Sequence, residues 1–333
     1  MIDLKEKRIL VTGGAGFIGS HVVDYLLAQD ASVRVLDNFV NGSLENLKQH
    51  AQNSNLEIIR GSITDPTTID TAMQDIDYVM HLACLGVRHS IKFPHENHLI
   101  NAEGSLLVLE AARSHGVKRF LYCSTSEIYG TAKSVPIDEN HLAAPHTVYG
   151  ASKLAGENYA RAYNITYQLP VVIIRPFNTF GPRSHFEGSA GEFIPKAIVR
   201  GLNNLPITIF GDGSQTRDFT YVEDTARGLV MALQTAQMVG EMANIGSNFE
   251  ISLNDIAKLL NMHLDHKLIV EYGKSRPGDV LRLFANSNKF RDLTQWAPHV
   301  SFEQGIIKTI QWFKALNLSV SDINKMEQTY NWE

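Results

Sequence analysis

Arg8-Ile9-Leu10-Val11-Thr12-Gly13-Gly14-Ala15-Gly16-Phe17-Ile18-Gly19 is the stretch that decides the fold. The aliphatic run Ile9-Leu10-Val11 predicts a strand, Arg8–Thr12, and the glycines after it predict a tight turn into a helix over Gly16–Gln29. Glycines 14, 16 and 19 satisfy G-x-G-x-x-G, and 13, 16 and 19 satisfy the wider G-x-x-G-x-x-G. Backbone without Cβ turns tightly and lets a pyrophosphate approach, so that its charge rests on the amides at the helix N-terminus. A glycine triplet alone is weak evidence. Here the next strand, Ser32–Asp37, ends in a carboxylate 18 residues past Gly19, the arrangement of a dinucleotide site. Such a carboxylate accepts hydrogen bonds from the adenosine ribose hydroxyls and repels a 2′-phosphate. NAD is therefore expected over NADP, with Arg34 in the same strand a weak argument the other way.

Outward from this unit, short apolar strands alternate with longer helical segments. Strands are expected at Leu56–Arg60, Asp77–Ala83, Lys118–Ser124 and Val171–Arg175, and helices at Asn97–His115 and Tyr149–Gln168. Continuous runs such as Val171-Val172-Ile173-Ile174 fit strands covered on both faces. The fold class is α/β, a doubly wound parallel sheet. Past Pro176, glycine, proline and polar residues become frequent, which marks a second, smaller α/β domain. The expected division is 1–177 for dinucleotide binding, rejoined by 219–247, with most of 178–333 devoted to substrate.

Composition narrows the function classes. The chain has 333 residues, 44% hydrophobic and 20% charged, with 30 Lys+Arg against 35 Asp+Glu, a net −5. That balance excludes a disordered or collagen-like chain and offers no basic footprint for nucleic acid or an anionic membrane. Neither partner is expected. The two cysteines, Cys84 and Cys123, sit in apolar runs and suit a reducing compartment. The start of the chain is charged and lacks a secretory core, and no apolar run approaches the length of a membrane span. The expected location is the cytoplasm. Thirteen histidines are scattered, and the closest pairs, His95/His98 and His263/His266, lack a cysteine or an evident carboxylate partner, so no metal site is expected.

Tyr149-Gly150-Ala151-Ser152-Lys153 puts a phenol and an ammonium at i and i+4 on one helical face. A neighbouring cation stabilises a phenolate, so such a tyrosine can serve as a base near neutral pH. The hydroxyl run Ser124-Thr125-Ser126 follows a strand whose C-terminal end overlies the ligand crevice of a doubly wound sheet. It is expected beside Tyr149. His81 and His146 are expected to be structural rather than catalytic, and Lys118 and Arg119, at a strand end, to be solvated.

Taken with Thr12–Gly19, His81-Leu82-Ala83, Asn101-Ala102-Glu103-Gly104, Ser124–Gly130, Tyr149–Lys153, Arg175-Pro176-Phe177-Asn178, Gly181-Pro182-Arg183, Phe210–Gly213, Arg217–Asp224 and Arg276-Pro277-Gly278-Asp279, the chain resembles a known family. These motifs are similar to those of the extended short-chain dehydrogenase/reductases that act on nucleotide-sugars as epimerases, dehydratases and decarboxylases. The resemblance implies a Rossmann-type sheet with NAD held by Gly13, Gly16, Phe17, Ile18, Gly19, Asp37, Asn38, Ile63, Leu82, Ala83, Asn101, Tyr149 and Lys153. It implies that Tyr149 takes the proton from the sugar 4-hydroxyl, that Lys153 holds the nicotinamide ribose and lowers the tyrosine pKa, and that Thr125 binds the 4-oxygen. Where the family commonly has Gly-Asp to contact adenine, this chain has Gly61-Ser62, which leaves Ser62 as the base contact.

For the substrate, a UDP-sugar above all, arginine forks match a diphosphate bidentately. The resemblance points to Arg217 and Arg276 as diphosphate contacts, with Arg183 a third candidate, Ser126 beside the sugar, and Asn178 on the sugar or its phosphate. Phe193 is either a nucleobase neighbour or a core residue. Three fates of a 4-keto sugar stay open. A 4,6-dehydratase commonly has Asp-Glu after the threonine, and here the pair is Ser126-Glu127; a 4-epimerase needs no further acid or base; a UDP-glucuronate decarboxylase shares the Thr-Ser-Glu pattern. The expectation is a 4-epimerase, with Glu127 as the residue the alternatives would use; a non-catalytic NAD-binding protein is a remote alternative, against which the intact Thr125, Tyr149 and Lys153 argue. Relatives often pair two helices per subunit, so a homodimer through a four-helix bundle of Asn97–His115 and Tyr149–Gln168 is expected.

Overall fold

The computed structural model describes residues 1–276, 278–329 and 331–332. Strands β1 (Arg8–Thr12), β2 (Ser32–Asp37), β3 (Leu56–Arg60), β4 (Tyr78–His81), β5 (Arg119–Cys123) and β6 (Val171–Pro176) are followed by β7 (Asn178–Phe180), β8 (Ile207–Phe210), β9 (Thr216–Tyr221), β10 (Met242–Ile245), β11 (Glu250–Ser252), β12 (Val270–Gly273) and β13 (Arg282–Leu283). Seven of them form one parallel sheet in the order β3-β2-β1-β4-β5-β6-β10. The other described strands form a small sheet around β9, which pairs with β7, β11 and β13, and a two-stranded β8-β12 pair.

Helices cover both faces of the large sheet, so its central strands are apolar throughout. On one face α1 (Phe17–Leu27) packs beside α8 (Val222–Gln234) over Ile9, Val11, Val172 and Ile174. On the other, α2 (Pro66–Met73), α5 (Gly104–Ser114) and α6 (Val148–Tyr167) cover Leu10, Val79, Phe120 and Ile173. Each fully buried aliphatic side chain of this kind contributes about 1.5–3 kcal/mol. The second core lies where α7 (Phe193–Leu202), α9 (Leu253–His263) and the later helix Phe302–Ala315 close over Ile207, Ile209 and Phe219. Asp218, at the middle of β9, ties the two regions together. Its carboxylate accepts from the Ser247 amide and hydroxyl (2.8 and 2.6 Å) and from the Asn248 amide (3.0 Å), in the loop after β10.

Two sequence expectations are corrected here. Asn97–His115 is not one regular helix: α4 (Pro94–His98) passes through a π-helical segment, Leu99–Glu103, into α5. The cause is local. Asn97 and Asn101 both donate to the Leu85 carbonyl (2.9 Å each), and the Asn101 side chain also accepts from the Leu85 amide, so the widened turn aims two side-chain amides at one loop. Arg119 is not solvated either, because its guanidinium turns inward to the Leu233 and Thr235 carbonyls at the end of α8.

Candidate active site

A cavity of about 460 Å³ opens where the carboxyl ends of the parallel strands face the smaller sheet. At its floor the glycine turn is set by contact. Gly13 has φ +71°, and a Cβ there would stand 2.8 Å from the Ala83 backbone; one on Gly19 would stand 2.1 Å from the Gly13 carbonyl oxygen. Side chains are thus excluded from a surface that the α1 N-terminus faces, which is the shape a pyrophosphate requires. Asp37 accepts from the Phe39 and Ala15 amides (2.8 and 3.0 Å), and burial still raises its carboxyl pKa. Phe17, Ile18, Asn38, Ile63, Leu82 and Ala83 line the same surface. His81 beneath it is structural: its ring bonds Thr12 Oγ1 (2.7 Å) and Ser105 Oγ (2.9 Å), and burial pulls its pKa down to about 3.

Two expected cofactor residues fall outside this surface. Asn101 is fully buried and saturated by Leu85 and Asn97, so it supports the loop after β4 rather than lining the cavity. Ser62 directs its hydroxyl to Thr64 Oγ1 at 2.7 Å and is absent from the cavity wall, where its neighbours Gly61 and Ile63 stand.

Above the floor, the hydroxyl run and the helical pair meet. Thr147 caps α6 by accepting from the Gly150 amide at 3.2 Å, which fixes Tyr149 in the first turn. Thr125 in turn accepts from the Glu127 amide at 3.2 Å and caps the 3-10 turn Ser126–Tyr129. Thr125, Ser126, Glu127, Tyr149 and Lys153 all line the cavity. Burial raises the Tyr149 phenol well above its ordinary pKa, while the Thr125 hydroxyl works in the other direction.

Lys153 is 1% exposed, donates to the Cys123 carbonyl at 2.6 Å and lies 4.5 Å from the Tyr122 ring centroid. Burial works against its charge, but the Tyr122 phenol and the Cys84 and Cys123 thiols raise its pKa on balance, which favours the ammonium form. One turn on, Glu157 holds Arg175 through two bonds and accepts from Ser124 Oγ at 2.7 Å. Tyr149, Lys153 and Glu157 therefore share one face of α6 at four-residue intervals, and the last of them ties that helix to the ends of β5 and β6.

The side of the cavity toward the smaller sheet is cationic. Asp279 receives Arg217 at 3.0 Å and Arg276 at 2.6 Å. Two polar atoms here are buried without a partner among the described residues, the Arg276 Nε donor and the Asn178 Oδ1 acceptor. Orphaned donors and acceptors facing a cavity are what a polar ligand satisfies. Pro277, in the same motif, lies outside the described residues. Arg183 does not join this group. It pairs with Asp24 of α1 at 2.9 Å and is absent from the cavity wall. Phe193 does reach the cavity.

Arg88 was missed by sequence reasoning. It stands on α3 (Val87–Lys92), lines the cavity, and makes no hydrogen bond or ion pair among the described residues. Burial and then the Arg276 charge pull its pKa down to about 10. Glu192, also in the wall, has its carboxyl raised by burial. The signal for Arg88 was its position seven residues past His81, directly after a parallel strand.

Comparison with known proteins agrees with this geometry. Residues 9–246 match the NAD dependent epimerase/dehydratase family. The crystal structure of UDP-glucuronic acid 4-epimerase from Bacillus cereus in complex with UDP-glucuronic acid and NAD superposes with a TM-score of 0.88 at 36% identity, covering 93% of this chain and 99% of that one. The mouse dTDP-D-glucose 4,6-dehydratase is 35% identical over 92% of this chain and 89% of its own length. UDP-glucuronic acid decarboxylase 2 of Arabidopsis thaliana is 33% identical over 94% and 70%. The chain belongs to the NAD-dependent epimerase/dehydratase family. It is an enzyme of that family, with NAD as its cofactor.

Proposed function

We propose that the protein is a nucleotide-sugar 4-epimerase, with a UDP-sugar as substrate. The observation that carries this reading is the convergence of Thr125, Tyr149 and Lys153 with Arg217, Arg276 and Asn178 in one cavity whose floor is the glycine turn. Tyr149 takes and returns the 4-hydroxyl proton, and Thr125 Oγ1 fixes the 4-oxygen. Lys153 supplies a buried positive charge on the helical face that carries the phenol. NAD, when bound, supplies the hydride acceptor and a positively charged ring. Gly13, Gly16 and Gly19 leave room for its pyrophosphate, and Asp37 takes the ribose hydroxyls. Arg217 and Arg276, set in orientation by Asp279, clamp the substrate diphosphate, and the orphaned Asn178 acceptor receives a substrate hydroxyl.

Epimerisation is favoured because the position after Thr125 is Ser126, a hydroxyl where elimination would want an acid. Glu127 in the cavity wall supports the second reading, loss of water or carbon dioxide from the same 4-keto sugar. Incubation with UDP-, dTDP- and GDP-sugars, including UDP-glucuronate, followed by mass spectrometry and proton NMR separates them. Unchanged mass with inverted C4 is expected; a loss of 18 or 44 mass units overturns the epimerase reading. We also place the protein in the cytoplasm, on its two free thiols, and as a homodimer through α5 and α6, where Ile165 and Tyr167 are exposed. Sedimentation as a monomer at micromolar concentration would refute the dimer.

A further inference from the structure

The end of the cavity beyond the arginines is lined by Glu327, Thr329, Asn331 and Trp332, to which neither the sequence motifs nor the proposed chemistry gives a role. Trp332 is 8% exposed and meets the Phe210 ring edge to face, with centroids 4.6 Å apart at 82°. Asn331 is 3% exposed, and its amide donates to the carbonyls of Gly191 (2.9 Å) and Gly188 (3.2 Å), in the turn that leads into α7. Just before them, Gln328 accepts from Lys196 at 2.5 Å and Glu327 pairs with Arg200 at 2.9 Å, both partners on α7.

Ordering a stretch without regular secondary structure costs conformational entropy that its contacts must offset. This one is held at Glu327, Gln328, Asn331 and Trp332 around a cavity. Its place relative to the arginines follows from strand register. Phe210 pairs with Gly273 of β12, and Arg276 follows three residues later. On the other side, Arg217 lies within electrostatic range of Glu127 and so of the Thr125 turn. The order along the cavity is therefore the tyrosine, then the arginines, then the aromatic rings.

A ligand that spans this order carries a reacting group, then a diphosphate, then a flat group that stacks. Phe210 and Trp332 supply the aromatic surface, and the amide of Asn331 lies beside them. We propose that Asn331 and Trp332 form the nucleobase subsite of the substrate cavity, with Trp332 and Phe210 together forming the aromatic wall against which the base packs and Asn331 holding the Gly188–Gly191 turn beside it. This rests on the nucleotide-sugar reading above.

The test uses the full chain loaded with NAD, with UDP and dTDP titrated calorimetrically into wild type, Trp332→Ala, Trp332→Phe and Asn331→Ala. Removal of one stacking ring weakens binding about tenfold. The expected result is therefore a tenfold loss for Trp332→Ala, substantial recovery in Trp332→Phe, an intermediate loss for Asn331→Ala, and unchanged NAD content and thermal midpoint. In turnover KM rises while kcat stays within about twofold. Wild-type affinity in Trp332→Ala overturns the subsite, as does a loss that comes with lost NAD or a lowered midpoint, which would make the stretch merely structural. Failure of the wild type itself to bind either diphosphate removes the nucleotide-sugar reading and this inference with it.

Discussion

Arg217 Nη2 lies 3.0 Å from Asp279 Oδ1, and the same oxygen receives Arg276 at 2.6 Å. One carboxylate oxygen thus orients two guanidinium groups while only partly neutralising them, and Arg88 adds a third that no described carboxylate pairs with. The substrate diphosphate supplies the missing anion. Arg217→Gln, Arg276→Gln and Arg88→Gln are each expected to raise Kd for UDP about tenfold or more, with the loss larger at low salt, because charge-assisted bonds are the strong ones. Calorimetric titration at two salt concentrations checks this. A variant with wild-type affinity and salt dependence removes that arginine from the binding set.

Tyr149→Phe keeps the ring and deletes the proton carrier. Turnover is expected to fall by about 10²–10⁴ while NAD content and UDP affinity stay at wild-type values, because the cavity wall and the Thr147 cap are unaltered. Thr125→Val is expected to lose less, about tenfold to a hundredfold, since the phenol remains. Single-turnover assays on each sugar that the wild type accepts provide the readout. Sustained turnover by Tyr149→Phe would show that the phenol carries no proton.

Much of this was legible in the chain because it depends on local rules. The bounds of β1, β2 and β3 follow from apolar runs ended by glycine, carboxylate or turn residues, and Tyr149 and Lys153 share a face by helical spacing alone. What was not legible depends on contacts remote in sequence. Asn101 sits in a motif but spends both ends of its amide on Leu85 and Asn97. Arg183 faces Asp24 of α1, 159 positions earlier in the chain. Arg119 looks like a charged strand end until α8 presents its last carbonyls. Glu157 continues the spacing of Tyr149 and Lys153, yet only the fold reveals that it holds Arg175 and Ser124.

Glu127 separates the possible chemistries without disturbing the clamp. In an epimerase it supports the Thr125 turn through its backbone amide, which Glu127→Gln keeps. Inversion at C4 is then expected to continue within about tenfold of wild type. If the product has instead lost water or carbon dioxide, the same variant should be nearly inactive, by about 10²-fold or more for a lost acid or base. Proton NMR of the products decides between them.

Burial of His81 has a consequence for stability against acid. Its folded pKa is depressed from 6.5 to about 3, chiefly by desolvation, and that of His21 to about 4 for the same leading reason. A base held neutral in the fold favours the folded state above its unfolded pKa, and the advantage is lost as pH falls, because the unfolded chain takes up a proton that the folded chain refuses. For His81 the window opens near pH 6.5 and extends down toward pH 3. At pH 5 the loss from this one group is about 2 kcal/mol, from 1.36 kcal/mol per pH unit. The thermal midpoint is therefore expected to fall between pH 7 and pH 5. His81→Gln, which keeps a donor and an acceptor for Thr12 and Ser105, is expected to start lower but decline less steeply. Equal slopes for the two proteins would mean that the imidazole of His81 is not the group that titrates.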